Sequence, residues 1–258
     1  PTITLTDVDA ALAAMIREPG RVITVNGPQK DGVTWPTEAE AMLAHTTAMQ
    51  ATVDPYLDEA VDAPLVPITP TPATIVERGT DPELGTTHWT LSNGVRVVIK
   101  PTDFKNDEVL MSAYGPGGNS RLDDLEQLRR VGSASFTVPR CGVGQFDATA
   151  LEKKLAGKIA RCRPMIDGHT EGLEGQASPQ DLETLCQLVY LRCTAPRRDH
   201  DGFGAAQSML RTWLANGDAD PMRALRDTVM MRVANGNPRV WPFTAADNEQ
   251  HGQLWTPV

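Results

Sequence analysis

Nowhere in the 258 residues does an uninterrupted apolar run approach the roughly 18 residues that a bilayer-spanning helix demands, so no membrane span is expected. Basic charge is scarce as well. The 24 Lys and Arg face 33 Asp and Glu, a formal net charge of −9 with a pI near 5.0. That is the wrong sign for a chain that must neutralise the phosphates of DNA, RNA or an anionic membrane, so nucleic acid is not an expected partner. Cysteine is limited to Cys141, Cys162, Cys186 and Cys193, with neither a CxxC pair nor the paired histidines of a zinc finger, and these read as small buried hydrophobes. The start, Pro1-Thr2-Ile3-Thr4, has no initiator Met and no basic flank ahead of an apolar core. It is read as the beginning of a processed or excised piece without an intact signal peptide, which leaves the compartment open.

What is present is a globular composition: 40% hydrophobic and 22% charged residues, far from the disordered or rod-like extremes. The acidity is uneven. Residues 1–88 hold 13 of the 33 acids but 4 of the 24 bases, and the remainder is neutral.

The local pattern predicts helix, strand, helix over the first 60 residues. Thr6 and Asp9 form a capping pattern before Val8, Leu12, Met15 and Ile16, and Arg21 to Val25 reads as a strand of branched residues. Thr37 and Glu40 make a second capping box, opening a helix to about Gln50 with Met42, Leu43 and Met49 available for burial. Pro64, Pro67, Pro70 and Pro72 then favour an extended connector. Beyond it, Trp89–Leu91 and Val95–Ile99 flank Ser92-Asn93-Gly94, the residues of a tight hairpin turn. A strand at Val109–Tyr114 ends at Gly115-Pro116-Gly117-Gly118, before a helix with Leu122, Leu125 and Leu128 on one stripe. Asp147 is placed to cap a helix closed by Gly157; strands follow at 158–165 and 171–177. Ser178-Pro179 opens an apolar helix with Leu182, Leu185, Leu188 and Val189, a stripe read as core in preference to an interface. Two further helices are expected near 203–215 and 221–233. The fold class is α+β, a mixed or antiparallel sheet covered by helices.

The run Trp89-Thr-Leu-Ser-Asn-Gly-Val-Arg-Val-Val-Ile-Lys-Pro-Thr-Asp-Phe-Lys-Asn-Asp-Glu-Val-Leu110, continuing to Gly115-Pro-Gly-Gly118, resembles the opening of a module of the pitrilysin/insulinase family of zinc metallopeptidases. Asp147 to Lys158, Glu171 to Leu185, Thr194-Ala-Pro-Arg197 and Asn235-Gly-Asn-Pro-Arg239 are similar, in the same order, to the second, non-catalytic half of a long bacterial member. The resemblance implies a peptidase-like module of the LuxS/mitochondrial-processing-peptidase-like metallohydrolase fold. It also implies boundaries: 1–60 as the end of a preceding half, 61–87 as a proline-rich acidic connector, 88–245 as the non-catalytic module and 246–258 as a tail. Catalytic halves of the family carry HxxEH on the helix after the Gly-rich break, two imidazoles holding zinc and a Glu handling the attacking water. Here that helix reads Leu122 to Val131, with no histidine between Gly115 and Pro164, and Arg129 and Arg130 stand where ligands would be expected. By resemblance the chain therefore has no catalytic and no metal residue, binds no cofactor, and leaves zinc to the catalytic half of its parent. The partners so implied are that half and a peptide substrate, and bacterial relatives point to the periplasm. A stand-alone protein-binding or assembly subunit with the same fold is an alternative, as is a metallohydrolase with rearranged zinc ligands.

Other constellations are thin. His169, Glu171 and Glu174 crowd together, but on a strand the first two share a face and the third points away, leaving zinc's shell half empty. His45, His88, His200 and His251 are dispersed. Gly115–Gly118 has the look of a phosphate cradle without the Lys-Ser/Thr of a P-loop, and Asp123 and Asp124 would repel an anion. Arg140-Cys141-Gly142-Val143-Gly144 is read as a flexible turn in preference to a reactive thiol, and Ser133 and Ser135 sit in no nucleophile elbow.

Overall fold

A computed structural model describes residues 3–15, 20–27, 32–54, 62–217, 220–244, 246–247 and 249. The chain divides into two units, residues 1–58 and 59–258.

The first unit holds two helices, α1 (Leu5–Met15) and α2 (Glu38–Gln50). Both begin with reciprocal caps. The Thr37 amide donates to Glu40 Oε2 at 2.7 Å while the Glu40 amide donates to Thr37 Oγ1 at 3.3 Å. The cap of α1 is the Thr4/Asp7 pair, Thr4 N to Asp7 Oδ2 at 2.8 Å and Asp7 N to Thr4 Oγ1 at 3.3 Å, in place of the expected Thr6/Asp9. The chemistry is the same, moved two residues earlier, so Leu5 and Thr6 fall inside the first turn. The strand expected at Arg21–Val25 is not formed, and residues 21–27 carry no regular structure. Branched residues favour extension, but a strand exists only where a neighbour accepts its backbone bonds. Met42, Leu43 and Met49 remain exposed, and among the described residues neither helix has a buried side chain.

In the second unit, the proline-rich stretch is irregular as expected, yet Leu65 within it is buried to 6% exposure and belongs to the core. The first strand, β1 (Ile75–Asp81), falls inside the stretch read as connector, 61–87. Its apolar residues Ile75 and Val76 are adjacent, so no alternation marks it; pairing with β2 (Thr86–Leu91) makes it a strand. At the turn, Asp81 Oδ1 accepts from the Glu83 and Leu84 amides, both at 3.0 Å. β3 (Arg96–Ile99) completes an antiparallel sheet of order β1-β2-β3, with Trp89 opposite Val97 across the expected Asn-Gly hairpin.

The second sheet has the order β4-β6-β5, from β4 (Val109–Pro116), β5 (Ala160–Ile166) and β6 (Thr170–Ala177). Both sheets are antiparallel throughout, which settles the expectation of a mixed or antiparallel sheet. Between β4 and β5 lie the short helices α3 (Leu125–Arg130), α4 (Ala134–Thr137) and α5 (Ala148–Lys154). α3 starts later than the leucine stripe suggests, because Asp124 accepts the Glu126 amide at 2.8 Å and leaves Leu122 in the preceding turn. Asp147 caps α5 as expected, accepting from Ala150 N at 2.8 Å.

After β6, Ser178 accepts the Asp181 amide at 3.1 Å and leads through a single 3-10 turn into α6 (Leu182–Thr194). α6 packs on β5 and β6 and buries Leu185, Leu188 and Leu191 together with Thr184. The expected stripe is displaced by a turn, since Leu182 is exposed. Gly175 on β6 lets α6 approach: a Cβ there would lie 2.6 Å from Leu185 Cδ1. The core joins α6 to Val143, Phe146, Leu151 and Leu65. α7 (His200–Gly217) and α8 (Pro221–Ala234) follow, and α8 is capped by Asp220. Arg223, at the start of α8, stacks on Trp213 of α7 at 4.7 Å.

Candidate functional site

The Gly-rich break after β4 and the turn between β5 and β6 form one clasp. The amides of Gly117, Asn119 and Ser120 donate to the carbonyls of His169, Asp167 and Gly168 at 2.9, 2.8 and 2.7 Å. The Gly118 amide donates to Glu171 Oε2 at 3.2 Å, and Arg121 lies 3.8 Å from the same carboxylate. Gly118 has a φ of +64°, and a Cβ there would stand 2.2 Å from the Asp167 carbonyl oxygen. The loop thus has the left-handed glycine of an anion cradle, but its amides are spent on carbonyls and a carboxylate, so it offers nothing to a phosphate.

The same clasp disperses the one His/Glu cluster. His169 lies in the β5–β6 turn and not on a strand, exposed, with its carbonyl held by Gly117. Glu171 is turned onto Gly118 and Arg121, while Glu174 is paired with Arg163 of β5, at 3.0 Å to Nε and 2.5 Å to Nη2. Each carboxylate therefore already answers a cation or an amide. These residues do not fit zinc, which needs a convergent set of three or four ligands. Among the described residues no group of three His, Cys, Asp or Glu is placed to hold a metal ion.

Arg129 and Arg130 leave the end of α3 in different directions. The Arg129 guanidinium lies over the Trp241 ring at 5.6 Å, and Arg130 Nη2 meets Glu126 Oε1 at 2.5 Å. Elsewhere, His45 bonds Arg21 and His88 bonds Thr86 at 2.7 Å, His200 begins α7, and His251 lies outside the described residues. Among the described residues the histidine side-chain hydrogen bonds go to Arg21 and Thr86, not to Ser133 or Ser135.

Cys141 corrects the sequence reading. Its loop is core, not a flexible turn: Val143 and Phe146 are both at 0% exposure, and the Val143 and Phe146 amides each donate to the other's carbonyl at 2.9 Å. Gly142 has a φ of +81°, and a Cβ there would clash with the Phe146 carbonyl oxygen at 2.1 Å. The Cys141 thiol donates to the Thr137 carbonyl at 3.5 Å, and burial raises its pKa, which makes it a poor nucleophile at neutral pH. Cys162 is pushed up to about 11 by burial, whereas Cys186 and Cys193 are exposed. Arg192 donates to the carbonyls of Gly142 and Pro139 at 3.1 and 3.4 Å, fastening α6 to this loop, a role that no local sequence pattern announces.

The clasp and the antiparallel sheet under α6 belong to an α+β module whose fold is shared with solved peptidases. No family model matches the chain. A PqqL-like zinc protease of Arabidopsis thaliana is 28% identical over 178 residues, 69% of this chain and 16% of that protein. In three dimensions the chain is similar to the periplasmic protease PqqL from Escherichia coli, with a TM-score of 0.59 and 19% identity over 85% of this chain and 25% of that one. It is equally similar to the ferredoxin protease FusC, solved as the E83A mutant in complex with Arabidopsis ferredoxin: TM-score 0.59, 20% identity, 84% of this chain and 24% of that one. The chain is homologous to a segment of PqqL-like zinc proteases, which belong to the pitrilysin/insulinase-like family, and it spans a quarter or less of the length of these relatives. Among the described residues no helix is long and apolar enough to cross a membrane.

Proposed function

We propose that the chain is a non-catalytic, peptidase-like module of a zinc protease. It forms one wall of a chamber in which peptides are cut, and the zinc is held by a catalytic peptidase half of the same polypeptide or complex. The observation that carries this reading is the end of α3, where Arg129 lies over Trp241 and Arg130 meets Glu126. A permanently charged guanidinium repels a dication, and no imidazole accompanies it. The homology to a zinc protease and the fold shared with PqqL and FusC support the class. On this reading the partners are the catalytic half and a peptide substrate, and the periplasm named for the Escherichia coli protein is the compartment to examine first. The test is to incubate the chain with a mixed peptide library in excess zinc and analyse the products by mass spectrometry. No cleavage is expected; cleavage that disappears in His169→Ala would replace this reading with one in which rearranged ligands hold the metal.

A further inference from the structure

Beyond α8 the chain turns at Asn235, whose φ is +48°, and at Asn237, whose side chain accepts the Arg239 amide at 3.0 Å. It then runs across α3. Arg239 Nη2 donates to the carbonyls of Asn119 and Leu122 at 2.5 and 2.8 Å, groups about 120 residues away in sequence. Trp241 receives the Arg129 guanidinium on its ring, and the Phe243 ring lies 3.4 Å from where a Cβ of Gly132 would be. The Phe243 carbonyl accepts from Arg223 Nη2 at 3.0 Å. At its far end, Thr244 and Asp247 cap one another, the Thr244 amide donating to Asp247 Oδ2 at 2.9 Å.

The attachment has a distinctive chemistry. Residues 239–243 are half-buried and none is fully buried, so the strap is held by guanidinium groups on carbonyls and rings and not by insertion into the core. These contacts lie in a half-buried shell, whereas the leucines with which α6 faces the sheet are buried. Beneath it, α3 is six residues long with Leu128 as its one buried residue, far shorter than a helix that stands unaided. The segment covered by the strap therefore depends on the strap for its order, while the Leu185–Leu191 side of α6 has the sheet and the Phe146 loop behind it.

We propose that residues 239–244 are a releasable strap that clamps α3 and the turn before it, opening as one local unit while the core stays folded. Opening frees α3, whose one buried residue is Leu128. Native-state hydrogen exchange of the full chain tests this, comparing wild type with Trp241→Ala and, as a milder lesion, Arg239→Gln. In both variants the amides from Asn119 to Val131 should exchange about tenfold faster, with those of Leu185–Leu191 unchanged. Equal acceleration in α3 and α6 would make the strap part of the global core and overturn the proposal. Unchanged exchange in α3 would overturn it equally, by showing that the strap does not hold the helix.

Discussion

A methyl group at Gly118 would fall 2.2 Å from one carbonyl oxygen and 2.6 Å from another, on a residue already at positive φ. Gly118→Ala is therefore expected to lower stability by more than about 2 kcal/mol, visible as a lower thermal midpoint. Glu171→Gln keeps an oxygen for the Gly118 amide and loses only a solvent-exposed ion pair with Arg121, so it should cost less than about 1 kcal/mol. The two variants together separate backbone fit from charge at the clasp. The buried thiols give a pH signature. The Cys162 thiol stays protonated to about 11 in the folded chain, while an exposed one ionises near 9.0. Above that pH the unfolded chain holds fewer protons, so the contribution of Cys162 is intact below about pH 9 and is lost as pH rises toward 11. Denaturation of wild type and Cys162→Ala at pH 8 and pH 11 should show a smaller difference at the higher pH; an equal difference would contradict the assignment.

Helix starts and the Asn-Gly hairpin were legible because their causes are local. Thr37 reaches Glu40 and Asp147 reaches Ala150 within one turn of chain, and such bonds form wherever the sequence provides them. Thr37→Ala should cost about 1 kcal/mol of α2 stability, measurable as reduced protection of the Glu40 and Ala41 amides, which donate to Thr37. Strands were legible only in part, since a ladder is a property of two segments. Residues 21–25 have the composition of a strand and no ladder, whereas β1 has a weak pattern and a partner in β2. The stripe of α6 shows the same limit: helical spacing identifies an apolar face, but the position of the sheet decides that Leu191 is buried and Leu182 is not. Leu188→Ala is expected to cost about 2–5 kcal/mol and Leu182→Ala less than about 1 kcal/mol, as read by chemical denaturation.

At the scale of the whole molecule, the absence of HxxEH could be read directly, because a motif on one helix is a local feature. The clasp that spends the Gly117–Ser120 amides and separates His169, Glu171 and Glu174 could not, since it joins segments about 50 residues apart. The same holds for Leu65, which ties the proline-rich connector into the core of the second unit. Similarity to 16% of the length of the Arabidopsis zinc protease relates the chain to such proteins and leaves the division of labour among their parts open. The division itself turns on whether this chain holds zinc. Elemental analysis of zinc per chain, after dialysis without chelator and again after incubation with excess zinc and a second dialysis, tests it most directly. A value near zero is expected in both samples; a value near one would show that this chain carries its own metal site, with His169 and its neighbouring carboxylates the first residues to replace.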